Sequence, residues 1–275
     1  MFQSPGNIAF EILGKPIYYY SICIATGIIL GSYVSYIVTK KCYKYLDENV
    51  FYNYTPILIF CAIICARLYY VILCWDYFSK HLAQIPMIWT GGLTIHGAVF
   101  GGILGGWIKT RIDKISFFAY SDAAPWGILV GQIIGRFGNF FNSEAFGTPT
   151  NLAWKLYIAP QFRPEGFENF EYFHPTFLYE AIWNIGVFLL LFFVFRKLMK
   201  NIRGGVFFMY LILYSVGRIL IESIRTDTVS YFWGIPTPTW VSIITIIISV
   251  FCIFYSWKNQ DKLTQYSATK PNKTI

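Results

Sequence analysis

The stretch TFLYEAIWNIGVFLLLFFVF, residues 176–195, decides the fold class of this chain. At about 1.5 Å per residue, a helix of this length is about 30 Å long, which matches the hydrocarbon thickness of a bilayer. Its single charged side chain, Glu180, lies near the N-terminal end. A segment this long and apolar predicts a membrane-spanning helix.

Further apolar runs of similar length occur along the 275-residue chain, which is 56% hydrophobic and only 13% charged. The sequence therefore predicts an all-α polytopic membrane protein that forms one domain over residues 1–275. Lys15 is the only basic residue before the first run, and that run is too long for a signal-peptide core, so no cleavable signal peptide is expected. Seven spans are predicted, at about residues 17–38, 55–75, 93–110, 118–141, 176–195, 204–224 and 239–257.

The net charge of +8 is explained by topology, because the basic residues lie in short loops beside the helices and form no nucleic-acid-binding stripe. Fourteen lie after the first, third, fifth and last helices: Lys40, Lys41, Lys44, Lys109, Arg111, Lys114, Arg196, Lys197, Lys200, Arg203, Lys258, Lys262, Lys270 and Lys273. Five lie on the other side: Lys15, Lys80, Lys155, Arg163 and Arg225. The positive-inside rule then predicts a periplasmic N-terminus and a cytoplasmic C-terminus.

Two segments outside the spans have distinctive composition. The loop at 143–175 is rich in aromatic residues, which suits either the lipid headgroup level and substrate admission or an ordinary interfacial loop. The polar tail at 259–275 is expected to be a flexible cytoplasmic segment. The six cysteines have no paired CxxC spacing and predict neither a disulfide framework nor a metal site.

Several polar residues lie within or at the ends of the apolar segments: Arg67, His96, Arg136, Asn139, Asn142, Arg218 and Glu222. A charge at the bilayer centre costs about 2.5–3.5 kcal/mol on insertion scales, so such residues either form interhelical salt bridges or have a function. Arg67 is open between the two interpretations, and His96 between a packing residue and a base. The predicted orientation places His96 and the other five near the outer leaflet's headgroup region. Tyr20, Tyr179 and Glu180 are expected at the same depth.

The sixth predicted helix has a polar stripe, because Tyr214, Arg218, Glu222 and Arg225 are spaced to share one face. Glu222 is placed to hold Arg218, whose fork-shaped guanidinium suits phosphate oxygens. The third helix has two rows of small residues that permit close helix packing. These rows are Gly97, Gly101 and Gly105, and Ala98, Gly102 and Gly106.

Four motifs together resemble the prolipoprotein diacylglyceryl transferase family over nearly the whole chain. The most specific is GRFGNFFNSE at 135–144, and the others are GGLTIHGAVFGG at 91–102, HPTFLYE at 174–180 and YSVGRILIESIRTD at 214–227. Departures from the family pattern are Ala98 in His-Gly-Gly, Ser143 in Asn-Gly-Glu, and Thr176 and Phe177 in His-Pro-Ser-Gln, together with the loop IPTPTW at 235–240.

The resemblance implies an enzyme of the bacterial inner membrane with its active site on the periplasmic side. It implies transfer of diacylglycerol from phosphatidylglycerol to the lipobox cysteine of a prolipoprotein signal-peptide region, with release of glycerol-1-phosphate. The expected catalytic residues are His96, Arg136 and Arg218. The expected substrate-binding residues are Tyr20, Asn139, Asn142, Glu144, Gly147, Tyr214, Glu222 and Arg225.

Under this hypothesis the arginines stabilise phosphate charge as the C–O bond breaks, and His96 or the arginine field activates the thiol. Asn139 and Tyr20 orient the headgroup, and Gly147 lets the backbone approach lipid, although a helix cap, an interfacial anchor and a plain turn are the simpler roles. No cofactor, metal or nucleic acid is expected, and the protein is expected to act as a monomer. A secondary transporter of a small anion is the main alternative, but no internal repeat is visible.

Overall fold

The computed structural model describes residues 2–44, 46–227 and 230–259. Lys262, Lys270 and Lys273 lie outside the described residues, as does the predicted tail from residue 260 onward. Contacts divide the chain into two compact units. One unit contains residues 35–121, and the other contains residues up to Val34 and from Asp122 onward. The single-domain organisation stays a prediction.

The described residues are mostly helical. The helices are α1 (Tyr19–Cys42), α2 (Val50–Leu73), α3 (Trp75–Phe78), α4 (Ile95–Ile112), α5 (Phe117–Ala123), α6 (Pro125–Phe141), α7 (Thr176–Leu190), α8 (Arg196–Leu198), α9 (Gly205–Glu222) and α10 (Thr237–Lys258). A π-helical segment, Leu191–Phe195, joins α7 to α8, so the helix is continuous from Thr176 to Leu198. The polytopic helical class predicted from hydropathy is therefore confirmed.

Within the described residues, five helices are long and apolar enough to cross a membrane: α1, α2, the α7–α8 helix, α9 and α10. The predicted spans at 93–110 and 118–141 are also helical, but neither segment is among the helices that are long and apolar enough to cross a membrane. α4 ends with Lys109 and Arg111 and contains many glycines. The predicted single helix at 118–141 is wrong, because α5 ends at Ala123 and α6 starts anew at Pro125. Proline has no backbone N–H to donate and is favoured in the first turn of a helix.

Asp122, near the end of α5, has a structural role in the unit that contains α9. The buried carboxylate of Asp122 accepts hydrogen bonds from the backbone nitrogens of Gly204 (2.8 Å), Val206 (2.9 Å) and Phe207 (3.2 Å). These groups begin α9, whose first N–H groups have no partner inside the helix. Asp122 therefore satisfies the N-terminus of the helix that carries Arg218.

The prediction of an all-α chain is incomplete, because the part of the chain that the structure describes also contains seven short strands. They are β1 (Phe2–Gln3), β2 (Ile8–Ile12), β3 (Lys15–Tyr18), β4 (Leu156–Tyr157), β5 (Tyr172–Phe173), β6 (Tyr231–Phe232) and β7 (Ile235–Pro236). β2–β3 and β6–β7 form antiparallel hairpins. β1 pairs with β4 in parallel, and β4 pairs with β5 antiparallel. Strands this short leave little periodicity in a sequence, so hydropathy does not reveal them.

The loop at 143–175 folds around its own apolar core. Phe146, Leu156, Ile158, Phe173 and Phe177 form this core. Phe173 is fully buried, so its aromatic ring serves packing within the protein. Other aromatic residues of the loop, Phe162 and Phe170, are about half exposed, at 48% and 49%. The loop is therefore a folded cap on the helices of its unit.

In the unit of residues 35–121, α2 and α4 pack closely through the first row of glycines. A Cβ on Gly97 would lie 2.4 Å from the carbonyl oxygen of Cys65, and one on Gly101 would lie 2.2 Å from that of Cys61. The predicted role of this row is thereby confirmed. The second row differs, since a Cβ on Gly102 would meet no atom within 4 Å.

We expect Gly101→Ala to destabilise the α2–α4 pair by about 1–3 kcal/mol, because the added methyl group must displace backbone. Gly102→Ala is the matched control and should be neutral or slightly stabilising, since alanine favours helix by about 1 kcal/mol over glycine. Thermal unfolding of both purified variants in detergent measures the difference. Equal unfolding temperatures would contradict the close packing.

Candidate active site

The carboxylate of Glu180, in the second turn of α7, is shared by three arginines. Its Oε2 lies 2.5 Å from Nη2 of Arg136 on α6. Its Oε1 lies 3.2 Å from Nη1 of Arg225 and 3.7 Å from Nη1 of Arg218. Glu180 is 4% exposed, so this pairing takes place largely out of water. Segments that are distant in sequence are therefore held together by one buried carboxylate.

The polar stripe of α9 is present as predicted. Nη2 of Arg218 lies 2.6 Å from Oε2 of Glu222, one turn further along the helix. Just beyond the helix, Nη2 of Arg225 lies 2.6 Å from Oδ2 of Asp227. With Arg136 and Glu180 added, the cluster contains three guanidinium and three carboxylate groups. Formal charges balance, which is how several buried ions can be tolerated together.

A second network extends from Arg136 to the end of α6. Nη1 of Arg136 donates to Oδ1 of Asn139 at 3.4 Å. The amides of Asn139 and Asn142 both donate to Oε1 of Glu144, at 2.8 Å and 3.3 Å. Four of the residues predicted from the sequence, Arg136, Asn139, Asn142 and Glu144, are thus linked in one chain of hydrogen bonds. Asn139 interacts through its side chain and is more than a helix-end cap.

Tyr20, in the first turn of α1, is positioned by glycine. A Cβ on Gly138 would lie 2.6 Å from Cδ2 of the Tyr20 ring. The neighbouring Tyr19 stacks on Phe141, with ring centroids 4.3 Å apart. This packing holds the Tyr20 ring against α6 at Gly138, the residue before Asn139.

Gly147 lies against other backbone segments of the protein, and its approach to lipid stays a prediction. The space that a Cβ would need is filled by protein, with the carbonyl oxygen of Ile224 at 2.8 Å and Cβ of His174 at 2.9 Å. The Gly147 nitrogen donates to the His174 carbonyl at 2.9 Å, and Gly147 forms an antiparallel bridge with Arg225. The glycine therefore brings backbone segments together, and one of them carries Arg225.

A small cavity opens beside the charged cluster and is lined by Glu180, Asn184, Tyr214 and Arg218, among others. Trp183 closes one part of it, since its ring lies against Gly217 and its indole N–H donates to the Leu213 carbonyl at 2.9 Å. Nδ2 of Asn184 and Nη1 of Arg218 have no hydrogen-bond partner among the residues that the structure describes. Two donors at one cavity suit a ligand with acceptor oxygens, because an unsatisfied buried donor is costly.

Comparison with known proteins places this site in a family. The family model for prolipoprotein diacylglyceryl transferase matches residues 7–255. The chain belongs to the prolipoprotein diacylglyceryl transferase family.

Relatives named phosphatidylglycerol–prolipoprotein diacylglyceryl transferase are found in several bacteria. The chain is 45% identical to the one from Acaryochloris marina over 228 residues, which cover 83% of this chain and 82% of the relative. It is 43% identical to the one from Thermosynechococcus vestitus, over 82% and 84% of the two chains. It is 38% identical to the one from Synechocystis sp., over 98% and 95%. These relatives are transferases by name, and nothing among them favours the anion transporter.

The structure shows the surroundings of two residues that depart from the family's motifs. Ser143 replaces the usual glycine of Asn-Gly-Glu and has a φ of 53°, in the left-handed region that favours glycine. Phe177 replaces the usual glutamine of His-Pro-Ser-Gln and is only 3% exposed. Its ring packs against Phe140, with centroids 5.0 Å apart. The family's amide is therefore exchanged here for a residue of the cap's core, and the charged cluster remains intact.

His96 and Arg67 belong to the unit of residues 35–121. His96 is exposed in the first turn of α4, with its ring centroid 6.3 Å from that of Tyr69, and its catalytic role stays a prediction. Arg67 is 5% exposed and donates to the carbonyls of Gln84 (2.7 Å), Ile85 (2.8 Å) and Gly91 (2.7 Å). Of the two interpretations left open for Arg67, these contacts favour the structural one, since it holds the segment between α3 and α4.

Sequence reasoning gave no role to Glu180 and did not single out Asn184. Both lie in the apolar stretch 176–195, four residues apart and thus on one helix face. Their spacing matches that of Arg218 and Glu222 on α9. This spacing was the feature of the sequence that could have indicated a second polar helix face. Its meaning depends on which helix faces α7, which the sequence does not specify.

Proposed function

We propose that this protein transfers the diacylglyceryl group of phosphatidylglycerol to the lipobox cysteine of prolipoproteins and releases glycerol-1-phosphate. The observation that carries the proposal is the pair of unsatisfied donors, Arg218 Nη1 and Asn184 Nδ2, at a cavity beside the shared carboxylate of Glu180. A lipid phosphodiester supplies the acceptor oxygens that these donors lack. Relatives over most of the chain have names that state the same donor and acceptor.

The chemistry of the cavity suggests which part of the lipid it holds. Its lining includes the charged and polar side chains of Glu180, Asn184 and Arg218, which suit a phosphate better than acyl chains. The acyl chains then extend into the surrounding bilayer. Tyr214 on α9 lines the cavity, and Tyr20 and the Asn139–Asn142–Glu144 network orient the headgroup.

Arg136 and Arg218 act on the charge that develops during the reaction. The cysteine sulfur attacks the carbon of the diacylglyceryl group that is bonded to the phosphate oxygen. This C–O bond breaks, and the leaving group, glycerol-1-phosphate, gains negative charge as a phosphomonoester. Fixed guanidinium groups stabilise this charge more in the transition state than in the ground state. Glu222 and Glu180 hold the two guanidinium groups so that little reorganisation is needed.

The attacking thiol has an ordinary pKa of about 8.5 and must lose its proton. His96 is the proposed base, and the positive field of the arginines is the alternative.

We further propose seven spans, counting α4 and α6, with a periplasmic N-terminus and a cytoplasmic C-terminus. This topology places the site on the periplasmic side of a bacterial cytoplasmic membrane and agrees with the unequal distribution of lysine and arginine. A monomer suffices for this chemistry.

The test is to incubate purified protein with phosphatidylglycerol and a lipobox peptide and to measure the peptide's mass. We expect an added diacylglyceryl group on the cysteine, together with free glycerol-1-phosphate. A peptide with serine in place of cysteine is the control and should remain unmodified. Unchanged mass of the cysteine peptide, with folded protein present, would refute the proposal.

His96→Gln tests the origin of the thiolate. If His96 is the base, we expect the transfer rate to fall by about 10²–10⁴-fold at neutral pH, the usual contribution of general-base catalysis. The loss should shrink as the pH is raised towards the thiol's own pKa, because the thiol then ionises without help. A loss below tenfold at neutral pH would favour activation by the arginine field.

A further inference from the structure

Two β-hairpins of the same unit turn through a backbone geometry that large apolar residues avoid. β2 and β3 are joined by Leu13 and Gly14, whose φ angles are 51° and 74°. β6 and β7 are joined by Trp233 and Gly234, whose φ angles are 51° and 73°. Two-residue turns of this kind favour Asn, Asp or Gly at the first position. Here leucine and tryptophan occupy it.

Packing within the protein does not explain these two residues. Leu13 is 98% exposed and Trp233 is 83% exposed. A strained residue normally persists because its surroundings compensate for the strain. Leu13 has almost no contact with the rest of the chain, and the Trp233 ring meets the rings of Phe232 and Trp240 but stays largely exposed. Compensation for the strain is therefore expected from outside the protein.

The flanks of both turns are apolar and exposed as well. Phe10 and Ile12 lie two residues apart on β2, so they share a face, and they are 51% and 53% exposed. Ile8, on the other side of a bulge in the strand, is 47% exposed. Beside the second turn, Phe232 is 57% exposed and stacks on Trp233, with ring centroids 5.1 Å apart. Each hairpin therefore presents an apolar surface that continues through its tip.

Both hairpins lead directly into membrane-spanning helices. β3 ends at Tyr18 and α1 begins at Tyr19, while β7 ends at Pro236 and α10 begins at Thr237. α1 is the first span and α10 the last, and with either five or seven spans both cross the membrane in the same direction. Both hairpins are therefore expected at the same surface of the bilayer, next to the point where a helix enters it.

We propose that the tips of these two hairpins, Leu13 and Trp233, insert into the boundary between lipid headgroups and acyl chains and anchor the starts of α1 and α10. Aromatic side chains such as Trp233 and Phe232 are typical of this boundary. On the first hairpin, Lys15 lies opposite Ile12, where its long side chain reaches the headgroup level while the leucine inserts. The lipid supplies the apolar contact that compensates for the left-handed backbone.

Quenching of tryptophan fluorescence tests the first hairpin. The full chain is reconstituted in vesicles of phosphatidylcholine and phosphatidylglycerol that contain lipid brominated near the headgroup end of the acyl chains. Leu13→Trp adds a tryptophan at the tip, and Trp233 already shows that this residue fits the same turn geometry. Glu11→Trp is the matched control, because Glu11 lies between the apolar positions of β2. We expect the emission added at position 13 to be quenched at least twofold more by brominated lipid than that added at position 11.

The second hairpin is tested by removing its tip. Trp233→Asn should remove emission that brominated lipid quenches and aqueous iodide does not. Asparagine tolerates the left-handed backbone, so Leu13→Asn and Trp233→Asn should leave the unfolding temperature in detergent unchanged or raised. Iodide quenching at the tips without bromolipid quenching would place them in water and overturn the proposal. A lowered unfolding temperature would overturn it as well, because it would show that the two side chains serve the fold.

Discussion

Replacing Glu180 with glutamine is expected to destabilise the protein by about 3–5 kcal/mol and to lower the transfer rate at least 100-fold. The amide removes the negative charge that Arg136, Arg218 and Arg225 share, so three guanidinium groups remain close together with less compensation. A loss of this size corresponds to a fall in unfolding temperature on the order of 10 °C. Activity falls because Arg136 and Arg218 lose the group that fixes their position.

The matched control for this prediction is Glu171→Gln, which makes the same chemical change at an exposed position of the cap. It should leave both unfolding temperature and transfer rate nearly unchanged. Thermal unfolding in detergent and the mass assay with the lipobox peptide measure the two effects. If Glu180→Gln and Glu171→Gln behave alike, Glu180 does not organise the site.

Replacing Arg218 with glutamine should lower the transfer rate by about 10²–10³-fold, the usual cost of losing one group that stabilises transition-state charge. The single variant also removes the ion pair between Arg218 and the buried carboxylate of Glu222, whose atoms lie 2.6 Å apart, so it loses stability too. Loss of activity in this variant alone would therefore be ambiguous between catalysis and folding.

The double variant Arg218→Gln with Glu222→Gln resolves the ambiguity. Neutral amides of similar size replace both members of the pair, so no uncompensated carboxylate remains and stability should recover in large part. The transfer rate should stay low, because the guanidinium group is still missing. Recovery of activity together with stability would assign Arg218 to the fold and remove it from the chemistry.

Some features of this site could be predicted because they depend on local periodicity. The spacing of Tyr214, Arg218, Glu222 and Arg225 specifies a single helix face, and the structure has the Arg218–Glu222 pair that this spacing predicts. The row of Gly97, Gly101 and Gly105 predicted close packing, and α4 indeed approaches the backbone of α2 through it. In both cases the information lies within one helix.

Other features were missed because they depend on segments far apart in sequence. Glu180 and Asn184 looked like two polar residues of an apolar span, and only the packing of α7 beside α6 and α9 reveals their partners and the cavity. The packing at Gly147 was missed as well, because the cap folds so that Ile224 and His174 fill the space beside it. Predictions about a single position fail where the rotation of a helix or the path of a loop decides what it meets.

The sequence by itself determined that this is a helical membrane protein, which residues form most of its spans, and which family it resembles. Hydrophobic length and residue spacing are properties of contiguous segments, so they can be read without coordinates. Only the tertiary structure decided that one carboxylate serves three arginines, that the segment 118–141 forms two helices, and that two hairpins end in exposed leucine and tryptophan. These outcomes depend on which side chains and backbone groups meet after the helices pack, and the pattern of hydrophobicity does not contain that information.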